Sequence, residues 1–149
     1  MRFVVTTHAS PEQVLRAMTD FSERRLEIWN RTLDPRTNEV RAQGDTWAVA
    51  RESSSGSPFW VVCRYDWSQP LVVRWTVEES SWGGSGEGFV RVAPVEGGSR
   101  VHAEWGFTGA TRLRDRVPMS LLHRFPIRTV LARLYRQAFD RYADAEASR

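Results

Sequence analysis

Short alternating segments separated by turns fill the middle of this chain and limit what it can fold into. Residues 59–67, FWVVCRYDW, are the strongest of them, and Ser68-Gln69-Pro70 separates them from residues 71–79, LVVRWTVEE. The same character, with Gly- and Ser-rich turns between the segments, recurs at residues 38–42, 46–52, 86–93 and 100–108. The short connections and regular spacing predict an antiparallel meander of six strands.

The N-terminal stretch predicts a seventh strand and a capped helix. Residues 2–8 have the β-branched character of a strand. Ser10 is a good N-cap, Pro11 suits the first helical position, and Gln13 completes a capping box. A second short helix, capped by Asp20 or Ser22, is predicted to run to about Trp29.

The C-terminal stretch changes period. From residue 118 to about residue 145, apolar residues recur every three or four positions, which predicts a long helix. Pro126 should kink this helix or divide it. The element order is therefore β-α-α-β6-α, an α+β arrangement, and the length of 149 residues predicts a single domain over residues 1–149.

Alternation also assigns each strand an inner and an outer face. The set predicted to face inward comprises Trp47, Val49, Phe59, Val61, Cys63, Tyr65, Trp67, Leu71, Val73, Trp75, Val77, Val90, Val92, Val101, Ala103, Trp105 and Phe107. The set predicted to face solvent comprises Glu52, Arg64, Asp66, Arg74, Thr76, Glu78, Arg91, Arg100, His102 and Glu104. Trp60 and Phe89 break the pattern. One apolar sheet face needs a cover, and the C-terminal helix is the only predicted element long enough to supply it.

Composition excludes several classes of function. Cys63 is the single cysteine, so no intrachain disulfide forms, which favours a reducing, cytoplasmic location. All 21 basic residues are arginine, so Schiff-base, pyridoxal-phosphate and P-loop lysines are excluded. No apolar run approaches the ~20 residues of a membrane span.

The distribution of charge argues against a nucleic acid partner, and the spacing of histidine and cysteine argues against a bound metal. Residues 112–149 carry 9 Arg and 4 Asp or Glu, a net +5, but the arginines are spread along the helix, so a solvated face is expected and no nucleic acid partner. Three scattered histidines and one cysteine have no metal-ligand spacing, so neither a metal nor a cofactor is expected.

The chain resembles the helix-grip fold of the START-like (SRPBCC) superfamily, and in particular its bacterial polyketide cyclase/dehydrase-like members. The resemblance covers essentially the whole chain. It rests on the strand at residues 3–7, the run Ala9-Ser10-Pro11-Glu12-Gln13-Val14, Asp20 and Trp29, the meander, and the closing run Phe139-Asp140-Arg141-Tyr142-Ala143. It implies an internal pocket under the C-terminal helix, and relatives on this fold include carriers, cyclases and hydrolases.

The bulky inward tryptophans can line such a pocket or fill it. The residues predicted to contact a ligand are Trp29, Trp47, Val49, Cys63, Tyr65, Trp75, Val77, Trp105, Phe107, Leu131 and Leu134. Cys63 is expected to be an inert core thiol. Arg51 and Glu79 continue the inward register but, at strand ends, are expected to turn to water.

Candidate chemistry rests on two residues. Tyr65 is the inward polar group whose hydroxyl can orient a ligand carbonyl or phenol, although a core tyrosine bonded to backbone fits as well. His123 is the histidine best placed to face the pocket, with a surface role as the alternative.

Three functions are therefore open. The first is binding of a small or medium hydrophobic molecule, such as a polyketide, lipid or aromatic metabolite, by a monomer or homodimer. The second is a cyclase, aromatase or dehydratase on the same scaffold, with Tyr65 or His123 handling protons. The third is an interaction module without a ligand, using the basic helix or Trp60 and Phe89.

Overall fold

Seven antiparallel strands form one sheet that holds a long helix against its inner face, in a computed structural model that describes residues 1–109 and 125–149. The strands are β1 (Arg2–Thr7), β2 (Glu39–Gln43), β3 (Trp47–Glu52), β4 (Val61–Asp66), β5 (Val72–Ser80), β6 (Ser85–Val95) and β7 (Gly98–Thr108). The helices are α1 (Pro11–Thr19), α2 (Arg25–Ile28) and α3 (Phe125–Ala147). This confirms the α+β helix-grip class and the element order.

The sheet is a meander closed at one side by the first strand. Its order is β1-β7-β6-β5-β4-β3-β2, so among the described strands only β1 pairs out of sequence. Phe3 lies opposite Ala103 in that pairing, which brings the N-terminus beside the last strand. Bulges fall between Val40 and Ala42 and between Val62 and Cys63. Such bulges sharpen the twist that lets a sheet wrap a helix.

The first helix begins where the local sequence predicts. The Ser10 side chain accepts from the Gln13 backbone N–H at 3.2 Å, and the Gln13 side chain accepts from the Ser10 N–H at 2.9 Å. Asp20 then ends the helix as its C-cap. Helix α2 is shorter than predicted: it begins at Arg25, its N-cap Arg24 makes no side-chain cap hydrogen bond, and it ends at Ile28.

Helix α3 crosses the inner face and completes the core. Its buried stripe of Ala138, Phe139, Tyr142 and Ala143 packs on β1 and α1. Pro126 stands in the first turn of α3. Residues 118–124 of the predicted helix lie outside the described residues, so the predicted kink or division at Pro126 stays a prediction. None of the described helices combines the length and apolarity that crossing a membrane requires.

The predicted face of β3 is wrong by one residue. Ala48 and Ala50 are fully buried and Glu52 is buried beside them, whereas Trp47 and Val49 lie on the outer face. Shifting the period-2 pattern by one residue exchanges the two faces. The outer position of Trp47 is stabilised by the Arg64 guanidinium, which lies 4.4 Å from its ring centroid.

Candidate functional site

A cavity of about 210 Å³ lies between the inner face of the sheet and α3. The described residues that line it come from α1, α2 and α3, from the loop at residues 29–33, and from β3, β4, β5 and β7 or the residues next to them. They are Met1, Met18, Arg25, Trp29, Thr32, Leu33, Glu52, Ser53, Ser54, Val61, Cys63, Tyr65, Trp75, Trp105, Phe107, Ile127, Leu131 and Tyr135. The surface is mainly apolar with a few polar groups, which is the composition of small-molecule sites.

Aromatic rings make up the apolar wall. Trp105 stacks on Tyr135 with ring centroids 6.0 Å apart and an interplanar angle of 24°, and Trp75 lies 6.2 Å from Trp105. Gly88 permits this arrangement, because a Cβ there would stand 2.5 Å from the Trp75 ring and 2.6 Å from the Cβ of Trp105. The wall is therefore held in place by strand packing, before any ligand enters.

Trp29 is fixed inside the core and borders the cavity. Its indole N–H donates to the Ala17 carbonyl at 3.0 Å, and its ring lies 4.9 Å from that of Tyr135. The side chain is 5% exposed, so Trp29 lies inside the fold and not at its surface. Burying its one polar atom in a hydrogen bond removes the usual cost of enclosing a tryptophan.

A buried ionic cluster forms the polar end of the cavity. The Arg25 Nε donates to Glu52 Oε1 at 2.5 Å, and the Tyr65 hydroxyl donates to Glu52 Oε2 at 2.5 Å. Arg25 Nη1 also donates to the Met18 carbonyl at 3.2 Å, and the guanidinium lies 4.0 Å from the Phe21 ring centroid. Each carboxylate oxygen thus has a donor, as a buried charge requires.

The local sequence explains why these groups meet. Arg25 is a buried residue of α2. The one-residue shift in the face of β3 brings Glu52 inward, on the same side as Ala50, which lies directly opposite Cys63 of β4. Ala48 and Ala50 thus occupy the inner face, where the predicted register would have placed Trp47 and Val49. The cluster therefore depends on the same one-residue shift that reverses the face of β3.

Burial and pairing set the protonation of the cluster. Burial raises the pKa of Tyr65 well above its usual value, and the adjacent Glu52 charge adds to the rise. Burial acts to lower the pKa of Arg25, but Glu52 and Tyr65 outweigh it and the pKa rises. At neutral pH the cavity therefore contains a charged arginine and a protonated tyrosine.

Two further titratable groups face the cavity. Burial, with Glu52 as the second cause, raises the pKa of Tyr135 to about 12. Burial likewise raises the pKa of the Cys63 thiol to about 12, which leaves it protonated and a poor nucleophile.

The polar rim is built by the loop before β2. Leu33 forms an isolated bridge with Ser54, and the Asp34 N–H donates to the Ser53 carbonyl at 2.9 Å. These bonds hold Thr32, Leu33 and Ser53 against the cavity. Arg36, bonded through its guanidinium and backbone N–H, lowers the pKa of Asp34 to about 2 and ties down the outer side of the loop.

The predicted contact residues divide into two groups. Those that line the cavity are Trp29, Cys63, Tyr65, Trp75, Trp105, Phe107 and Leu131. Trp47 and Val49 lie on the outer face, because the register of β3 is the reverse of the predicted one. Val77 and the half-buried Leu134 are not among the lining residues. His123 lies outside the described residues.

The two strand-end charges, Arg51 and Glu79, are not among the described residues that line the cavity. Arg51 points outward with its guanidinium 4.4 Å from the Trp60 ring centroid. Glu79 accepts from Arg41 at 3.0 Å on the exposed surface. Trp60 thus belongs to the outer face, and so does Phe89, which contacts His102 edge-on.

Sequence reasoning missed Arg25, Glu52 and Tyr135. Arg25 belongs to a helix of four residues, too short for a periodic signal, and Glu52 was assigned to solvent. Tyr135 follows the two predicted contact residues Leu131 and Leu134 along α3 and precedes the buried Ala138. The available signal for Glu52 was the Ala48-Ala50 spacing, since small residues at alternate positions also mark a packed face.

Known structures share this architecture across nearly the whole chain. TTHA0849 from Thermus thermophilus is 17% identical with a TM-score of 0.76, covering 98% of this chain and 97% of that one. The ZhuI aromatase/cyclase from Streptomyces sp. R1128 is 17% identical with a TM-score of 0.70, covering 99% and 94%. A START superfamily protein from Mycobacterium smegmatis is 10% identical with a TM-score of 0.64, covering 97% of each chain. A comparison with curated proteins gave no sequence match.

The fold and cavity together define a START-like helix-grip protein. Residues 1–145 match the family described as polyketide cyclase/dehydrase and lipid transport. The chain belongs to that family, as its sequence features predicted.

Proposed function

We propose that this protein binds a small or medium hydrophobic molecule, such as an aromatic metabolite, a polyketide or a lipid, in the cavity under α3. The observation that carries the proposal is the preformed aromatic wall around about 210 Å³ of space. For scale, an apolar protein cavity of about 150 Å³ binds benzene. The larger volume here leaves room for an aromatic ligand of more than one ring.

Ligand affinity would come from the apolar wall. Burying ligand surface contributes about 25 cal/mol per Å², less the cost of association. Trp29, Trp75 and Trp105 are held by packing or hydrogen bonds, so little side-chain freedom would be lost on binding. A pre-organised wall of this kind supports binding without rearrangement of the sheet.

A cavity-filling substitution tests the proposal. Leu131→Trp projects an indole into the cavity, whereas Leu134→Trp adds the same bulk on the same helix outside the lining. We expect the neutral dye N-phenyl-1-naphthylamine to bind the natural protein and Leu134→Trp, and Leu131→Trp to weaken binding at least tenfold. Equal affinities for the two variants, measured by dye fluorescence, would contradict the proposal.

A proton-transferring enzyme on the same scaffold is the second candidate. The Tyr65–Glu52–Arg25 cluster favours it, because a carboxylate beside a neutral hydroxyl in a mainly apolar cavity can move a proton next to a ligand carbonyl. His123, the other predicted proton-handling residue, stays a prediction.

Deuterium exchange tests this second candidate. In D₂O, the protein would accelerate exchange of the methyl protons of 2-acetylnaphthalene, as followed by NMR. Tyr65→Phe would slow the exchange about 10²-fold or more, while Tyr142→Phe, a buried tyrosine outside the lining, would leave it unchanged. An unaccelerated exchange rate in the natural protein would refute an enolising activity.

A further inference from the structure

The polar end of the cavity contains hydrogen-bond donors that the protein itself does not use. Within the described residues, Arg25 donates from Nε and Nη1 only, so its Nη2 group has no acceptor. The Tyr135 hydroxyl likewise has no hydrogen-bond partner among the described residues, although its ring contacts Phe3, Trp29, Trp105 and Phe139. Both residues line the cavity. Donors in an apolar space favour a ligand that brings an acceptor.

The unused donors lie in one electrostatic environment. The Glu52 and Arg25 charges both act on Tyr135, and Tyr135 acts on Arg25 in return. Tyr135, Arg25 and Glu52 line the same cavity, so a ligand there lies in the electrostatic field of all three. The stacked Trp105 and Tyr135 rings continue from this point as the apolar wall.

The charges at this end of the cavity already cancel. Arg25 is paired with Glu52, and the second carboxylate oxygen is occupied by Tyr65. The two tyrosines are neutral at physiological pH, since burial raises the pKa of each. Among the described residues, no further positive charge at this polar end is left to balance a buried ligand carboxylate, whereas a neutral ligand oxygen needs none.

We propose that Tyr135 and Arg25 form an oxygen-binding subsite that selects an uncharged, carbonyl-bearing aromatic ligand over its carboxylate and over a pure hydrocarbon. This inference rests on the proposed function and deepens it, because it names the chemical class of ligand. The carbonyl oxygen accepts from the Tyr135 hydroxyl and the Arg25 Nη2 group, and the ring system lies against Trp105. A free fatty acid is excluded by the same charge balance.

Three ligands of one shape test this selection. 2-Acetylnaphthalene carries the carbonyl, 2-isopropenylnaphthalene replaces the oxygen with CH₂, and 2-naphthoate carries the charge. Each is titrated against protein loaded with N-phenyl-1-naphthylamine, and displacement of the dye gives the affinity. We expect the ketone to bind about tenfold more tightly than the alkene, as one or two hydrogen bonds imply, and the carboxylate to bind most weakly.

A matched pair of variants assigns the selection to the subsite. Tyr135→Phe keeps the ring and removes the hydroxyl, so the ketone-to-alkene ratio should fall to about threefold or less. Tyr142→Phe, on the same helix, loses a hydroxyl that contacts Arg16 and Glu146 instead of the cavity, so the ratio should persist.

The outcomes separate the subsite from the cavity itself. Equal affinity for ketone and alkene, tighter binding of naphthoate, or an unchanged ratio in Tyr135→Phe would overturn the subsite while dye binding still supported the cavity. If the dye binds and none of the three ligands displaces it, the subsite is also wrong. If the dye does not bind the natural protein, the proposed function fails and the subsite fails with it.

Discussion

Two arginine–glutamate pairs in this molecule join a helix to a distant element, and they differ in almost every other respect. Arg25 and Glu52 connect α2 to β3 at 2.5 Å, with side chains 6% and 7% exposed. Arg16 and Glu146 connect α1 to α3 at 2.7 Å, with side chains 52% and 25% exposed. The chemistry is the same, but only the first pair borders the cavity.

The two pairs differ in stability because they differ in exposure to solvent. An exposed pair gains little because water and salt screen it. A buried pair is costly to create and costlier to break, since loss of one partner leaves a charge without compensation. The surface pair therefore adds little to the packing of α1 on α3. The buried pair, in contrast, determines which charges are present at the polar end of the cavity.

Breaking the buried pair should have the largest effect. Glu52→Gln leaves the Arg25 charge uncompensated and should lower the free energy of unfolding by about 3–5 kcal/mol. Glu146→Gln, the matched change at the surface, should cost less than about 1 kcal/mol. Urea denaturation measures both.

A double variant separates the loss of charge compensation from a general failure of the protein to fold. Arg25→Met combined with Glu52→Leu removes both charges and should recover most of the lost stability. A Glu52→Gln cost no larger than that of Glu146→Gln would show that the two pairs are equivalent.

Tyr65 provides the next largest effect. Tyr65→Phe removes the donor to Glu52 Oε2 and should lower the free energy of unfolding by about 1–3 kcal/mol, because the carboxylate oxygen stays buried without a partner. Tyr142→Phe serves as the control, since its hydroxyl contacts the more exposed pair. A smaller cost for Tyr65→Phe than for Tyr142→Phe would argue against a tightly bonded cluster.

Salt should separate the two pairs. The stability cost of Arg16→Met should shrink between low salt and about 1 M NaCl, where the screening length is about 3 Å. The cost of Glu52→Gln should change little over the same range. Parallel loss of both costs would place the Arg25–Glu52 pair in contact with bulk solvent.

The smallest effect is a pH dependence. The Arg16 side chain, with a smaller contribution from Gln13, lowers the pKa of Glu146 to about 2 from a usual value of 4.5. Because the folded pKa is the lower one, this stabilisation is present above about pH 4.5 and is lost as the pH falls towards 2.

Arg16→Met tests that window. The variant should be less stable than the natural protein at pH 7 by under about 1 kcal/mol, and the two stabilities should converge near pH 2. Asp34 titrates in the same range in both proteins and cancels in the difference. A gap that stays constant down to pH 2 would mean that Arg16 acts through packing alone.

Local signals explain what the sequence could predict. The capping box at Ser10 and Gln13 acts within four residues, and the strand turns are marked by Gly, Ser and Pro. Alternation correctly oriented Tyr65, Trp75 and Trp105 because the aromatic residues of β4, β5 and β7 all fall in the inward alternating set. The fold was therefore accessible from pattern alone.

The polar end of the site was not accessible in this way. In β3 both alternating sets contain apolar residues, and side-chain size favoured Trp47 and Val49 over Ala48 and Ala50. The correct choice depends on what packs against the inner face of β3, such as the Arg25–Glu52 pair, which is a tertiary property. Arg25 and Glu52 are 27 positions apart, and nothing in their local sequence marks a buried ion pair.

The tryptophan indole N–H signals give the most direct test of the cavity as a ligand site. Two-dimensional ¹⁵N–¹H NMR, assigned with single Trp→Phe variants, can follow them during a titration with 2-acetylnaphthalene. Trp29, Trp75 and Trp105 line the cavity, whereas Trp47 and Trp60 lie on the outer face under arginines. The account predicts saturable shifts of the first three signals and none for the last two. Shifts confined to Trp47 and Trp60, or no saturable shift at all, would contradict it.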